Sequence, residues 1–141
     1  MFSHEIKYVD YNGNEREETL YFNLNAAELA KLQAKTEGGL KDYITKLFSE
    51  QDISRIWDLF EKIVLMSYGK KMADGSFAKD EGRIAAKFVE TKAYSDFMVW
   101  LLSEGGVHAT TFINAIVPSE AELNKIAPAQ AANVTVLPAS N

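Results

Sequence analysis

"SYGKKMADGSFAKDEG", residues 67–82, sets a Gly-Lys pair and an Asp-Gly turn in a cluster of charges, between two segments of helical period. Such a stretch either holds a phosphate or a metal ion, or only joins two elements. A phosphate-binding loop needs a further glycine five residues before the Gly-Lys pair, and a strand leading into it. Val64 stands at that place, inside a helical pattern. A calcium loop is a closer match, because Asp74, Gly75 and Glu81 fall at its fifth, sixth and twelfth positions. Its first and third positions, however, are Lys70 and Met72, which cannot ligate calcium. The stretch therefore reads as a connection between helices, with "ADGS" as a turn and Asp80 as the cap of the next helix.

Upstream of it, helical spacing is strong. Ile53, Ile56, Trp57, Phe60, Ile63 and Val64 make one apolar stripe behind a capping Asp52, and Gly69 is expected to stop that helix. Before it, Leu40, Tyr43, Ile44, Leu47 and Phe48 mark a second helix. A first begins at Asn25, where Glu28 three residues on completes a capping-box pattern, and runs to about Lys35.

The chain starts differently. "EIKYVDY" and "EETLYFNL" flank "NGN" at 12–14, with Ile6, Tyr8, Leu20, Phe22 and Leu24 all on even positions. This predicts a β-hairpin with one apolar face. A three-residue loop at 12–14 pairs Ile6 with Leu20 and keeps the faces separate. A two-residue loop would mix them.

Downstream, helices are expected over about 80–89, 94–103 and 107–117. The second of these carries "FMVWLL" at 97–102, apolar nearly all round, which marks either deep burial or a partner surface. Pro118 closes this region. Residues 119–141, "SEAELNKIAPAQAANVTVLPASN", are rich in alanine and proline, lack aromatics and read as a mobile tail. The expected architecture is mainly α, of α+β type: one compact domain over 1–118. Its N-terminal hairpin, 4–24, packs on a bundle of about five to six helices over 26–117.

Composition narrows the chemistry. The chain has 141 residues, 47% of them hydrophobic, and a formal net charge of -5. That balance disfavours a nucleic-acid partner. No cysteine is present, so disulfides, thiolate metal sites and thiol catalysis are excluded. The N-terminus lacks the pattern of a signal peptide, and the longest apolar run is far short of the roughly 20 residues that span a bilayer. His4 and His108 stand far apart with nothing to bring them together, and surface or capping roles suit both. Glu15, Glu17 and Glu18 read as a solvated strand face. Trp57 and Trp100 sit in apolar helical patterns, where core packing is the default. No catalytic, cofactor-binding or metal-ligating residues are assigned.

Four stretches carry a family resemblance: "FNLNAAEL" (22–29) with "GGL" after it, "IVLMSYGKKMADGSFAK" (63–79), "FVETKAYSDFMVWL" (88–101) and "ATTFINAIVP" (109–118). In that order the chain resembles the tail assembly chaperones of long-tailed, siphovirus-type bacteriophages and prophages of Gram-positive bacteria. The resemblance implies a small, mostly helical, non-enzymatic protein of the host cytoplasm, absent from the mature virion. Its implied partners are the tape-measure protein, which it would bind and keep soluble, and the major tail-tube protein, which it would help recruit. Self-association, and a longer frameshifted product of the same gene, are also compatible with it. The alternative is a structural tail component, terminator-like or connector-like, that stays in the particle. For an apolar partner helix, Tyr94, Phe97, Met98, Trp100 and Leu101 are the expected contact residues, with the edge of the hairpin as a second surface for strand addition.

Overall fold

The computed structural model describes residues 1–36 and 38–117; the expectations for Pro118 and the Ala/Pro-rich tail lie outside the described residues. Alternation in the first strands does what the sequence requires of it. β1 (Phe2–Val9) and β2 (Glu15–Phe22) pair antiparallel, and the even positions turn inward. Ile6, Leu20, Phe22 and Leu24 are buried, with Phe2 and Tyr8 packed at the margin.

The loop has three residues, as expected, but sits one position earlier than expected. His4, not Ile6, faces Leu20, and Ile6 faces Glu18. The physical reason is Asp10. Its carboxylate accepts the N–H groups of Asn12 and Asn14, each at 2.9 Å, and takes the Arg16 guanidinium at 2.8 Å. These contacts hold the Asp10 carboxyl below its ordinary range, the Arg16 bond being the chief cause. Gly13 then takes the left-handed turn position at φ 83°. Shifting both partners together preserves parity, so the apolar face survives.

The helices follow. α1 (Ala26–Lys35) has the expected capping box: Asn25 Oδ1 accepts from Glu28 N–H, and Glu28 Oε1 accepts from Asn25 N–H. α2 (Leu40–Ser49) buries Leu40 and Leu47. α3 (Ile53–Ser67) is capped by Asp52, whose side chain accepts from Arg55 N–H.

The stretch at 67–82 departs from expectation. It is a second β-hairpin, not a bare helix connection. β3 (Tyr68–Lys71) and β4 (Phe77–Ala78) pair antiparallel, and β3 joins β2 to give a sheet of order β1-β2-β3-β4. Its loop repeats the first. Met72 N–H donates to the Ser76 carbonyl as Asp10 N–H does to Asn14, and Gly75 takes the left-handed position at φ 89°. Gly69 is required by space: a Cβ there would lie 2.7 Å from the Ala78 carbonyl oxygen and 2.6 Å from the Phe77 ring. Asp80 does not cap α4 (Arg83–Val89). Asp80 and Glu81 form a left-handed kink, and the Asp80 carboxylate pairs with Arg83 at 3.0 Å.

α5 (Lys92–Leu101), capped by Thr91, and α6 (Val107–Ile116) complete the described fold. α5 and α6 pack over β1, and α4 packs against β3. One core results, with Phe22, Phe60, Phe97 and Phe112 fully enclosed. Full burial of one such ring stabilises by about 1.5–3 kcal/mol.

A polar tie crosses this arrangement. Lys79, just after β4, sends its ammonium to both oxygens of Glu28 at 2.7 and 2.8 Å, to the Asn23 carbonyl at 2.9 Å and to the Met66 carbonyl at 2.7 Å. It joins the second hairpin to the start of α1 and the end of α3. Lys79→Met leaves Glu28 and two carbonyls short of a donor. It is expected to cost about 1–3 kcal/mol in urea unfolding. Adding Glu28→Gln should cost less than the sum of the single changes; additive costs would show that the tie carries no coupling.

Candidate functional site

The described residues offer no concentrated chemistry. No group of three or more His, Asp or Glu side chains comes together to hold a metal ion among them. The carboxylates that depart from their ordinary range, Asp10 and Asp74, both move down. Asp74 does so mainly because the Ser76 hydroxyl bonds it within the turn. A general acid would need the opposite displacement.

α5 divides the five expected contact residues. Phe97, Met98 and Leu101 point inward and belong to the core, with Ala93 on the same face. Tyr94 and Trp100 are half-buried. The Tyr94 hydroxyl donates to Glu61 of α3 at 2.6 Å; burial, then this bond, raises its pKa. The helix is not apolar all round, since Lys92 and Asp96 pair across one turn at 2.8 Å on its outer side. Its open apolar surface is Val99, 60% exposed, beside Trp100. Tyr94 turns toward α3 and α4, against Glu61 and Phe88, and Trp100 turns toward β1 and α6, so the two lie on different flanks of α5, with Val99 on its outer side.

Trp100 gathers the two histidines that the sequence left apart. The His4 and His108 rings each lie 4.1 Å, centroid to centroid, from the indole, and Phe2 and Phe97 border the cluster. His108 also pairs with Glu104 at 2.7 Å. Neither histidine is simply a surface or capping group. The signal was out of reach in one dimension, because β1, α5 and α6 meet only in the folded chain.

Trp57 corrects the expectation of core packing. It is 39% exposed, and Ile53 one turn earlier is 62% exposed. The stripe on α3 is wider than the surface its neighbours cover, so Ile56, Phe60 and Ile63 take the core and the outer pair faces water.

Two clefts flank α4, and no sequence pattern announced either. One, of about 380 Å³, lies between α4 and the β2–β3 strands. Leu20, Tyr68 and Phe88 line it, together with Glu18, Lys70, Asp80, Arg83 and Lys87. Tyr68 and Phe88 stack at 3.8 Å. The other, of about 610 Å³, runs between the end of α3 and α4. Leu65, Met66, Ala85 and Ala86 line its length, with the Lys79–Glu28 pair and Lys62 at its borders. Small residues on one wall and a flexible methionine on the other suit a helix laid along it.

Burial and the neighbouring His108 hold the His4 pKa below the ordinary 6.5. The unfolded chain binds a proton at 6.5 that folded His4 resists, so this contribution to stability is whole above 6.5. It falls as the pH drops below that value and is lost through the lower folded value. Thermal melts should show this decline, and His4→Phe should remove its share of it. An unchanged pH profile in His4→Phe would mean that His4 is not the group responsible.

A family model described as phage tail assembly chaperone matches residues 1–139. The match thus runs on through the Ala/Pro-rich stretch, beyond the segments that carried the resemblance. No curated protein and no solved structure matches the chain.

Proposed function

This chain belongs to the phage tail assembly chaperone family, and on that premise we propose that it binds the tape-measure protein and keeps it soluble while the tail is built. A tail assembly chaperone works with tail proteins during assembly in the host cell. The finer reading is that this chain also helps recruit tail-tube subunits, performs no catalysis and leaves before the virion is complete. The phage would be of the long-tailed siphovirus type, infecting a Gram-positive host. The family favours this over a structural component retained in the particle.

The observation that carries the reading is the groove between α3 and α4. A tape-measure protein exposes long apolar helical surface before a tube encloses it. Sequestering such surface needs an open apolar trough on a soluble body. Leu65, Met66, Ala85 and Ala86 supply the trough, and the net charge of -5 favours solubility. Val99, exposed on α5 beside the half-buried Trp100, offers a second and smaller apolar contact.

Co-expression with the tape-measure protein of the same phage tests the proposal. The wild-type chain should raise the soluble yield of that protein and co-purify with it. Ala86→Arg places a long charged side chain at the groove from an exposed position on α4. It should reduce co-purification at least tenfold with little change in melting temperature. Retained binding in Ala86→Arg would remove the groove from the mechanism, and failure of the wild-type chain to bind would overturn the function.

A further inference from the structure

We propose that β1 is a self-pairing edge through which two copies of this chain join their sheets, antiparallel, about a two-fold axis at Ile6. In the sheet order β1-β2-β3-β4, β1 is terminal along all eight of its residues. Asp10 bonds to Asn14 at the head of the hairpin. Hydrogen-bonded pairs alternate along an antiparallel ladder, so Tyr8, Ile6, His4 and Phe2 direct their backbone groups to β2. Ser3, Glu5, Lys7 and Val9 therefore direct theirs outward. Their side chains are exposed, and among the described residues no other element bonds their N–H or C=O groups. Edges of this length are templates for another strand.

Charge selects the occupant. Reversed against itself about Ile6, β1 sets Ser3 opposite Val9, Glu5 opposite Lys7, and Lys7 opposite Glu5 of the second copy. All four outward-facing residues then find partners that also face outward, and both charged positions meet the opposite sign. Moving the axis to Glu5 opposes two glutamates, and moving it to Lys7 opposes two lysines, each destabilising. One register is favoured and its neighbours are penalised, which is what specific self-recognition requires. Lys7 already faces Glu17 of its own β2, so in the pair it lies between two carboxylates. A contact confined mainly to one strand edge is small, so the dimer belongs to the weak, concentration-dependent class.

The test is sedimentation velocity of the full chain from micromolar to millimolar concentration, with Glu5→Lys and Lys7→Glu made separately. The wild-type chain should dimerise as concentration rises. Each variant alone opposes like charges and should sediment as a monomer, with an unchanged melting temperature showing that it is folded. An equimolar mixture of the two variants restores both opposite pairs and should dimerise again. A wild-type monomer throughout the range overturns the proposal. So does a wild-type dimer that both variants retain, since it would form through another surface. A mixture that stays monomeric overturns the register.

Discussion

Everything in this fold turns on covering one face of a small sheet, and Phe22 is where that requirement is met. Its ring is wholly buried. It stacks on Phe97 of α5 at 4.7 Å, meets Phe112 of α6 at 5.5 Å and Phe88 of α4 at 6.3 Å, and touches Phe2 and Tyr68 on the strands to either side. Three helices and the two flanking strands thus share one aromatic neighbour. A hairpin alone is marginal in water, and its apolar face becomes stable only under such a cover. The same demand explains why "FMVWLL" gives up Phe97, Met98 and Leu101 to the core. Once they shield the sheet, they are no longer open to a partner.

The second hairpin extends the sheet cheaply. β3 and β4 are short, β3 ends in two lysines, and the pair contributes little burial of its own. Their place is held from outside by Lys79, which links β4 to the junctions of β2 with α1 and of α3 with β3. The Gly-Lys pair at 69–70 thereby receives a structural explanation. Its glycine exists because the neighbouring strand comes too close for a side chain, and no phosphate is needed to account for it. With the hairpin in place, α4 is held between two clefts. The one between α3 and α4 is the more apolar of the two.

Legibility followed the range of the forces involved. The capping box at Asn25, the Asp52 cap and the parity of the first hairpin were readable because each depends on residues a few positions apart. The two hairpin loops, "DYNGN" and "MADGS", use the same turn chemistry, yet only the first announces a hairpin in the sequence. Apolar alternation flanks the first, while "YGKK" and "FAK" carry almost none. The second pairs because β2 offers an edge, a fact absent from its local sequence. The candidate surfaces were less legible still. Trp57 and Trp100 occupy similar helical patterns, yet one is exposed and the other stacks between histidines.

The sequence by itself determined the family, the existence and caps of most helices, the inward face of the first hairpin and the absence of thiol chemistry. Those properties rest on residue identity, short-range hydrogen bonds and periodicity, which one dimension records. The tertiary structure alone decided which apolar residues were left exposed, where the grooves ran and which ionic contacts tied the elements together. Burial is a competition among all faces for a limited interior, and only the folded chain settles which side chains win it.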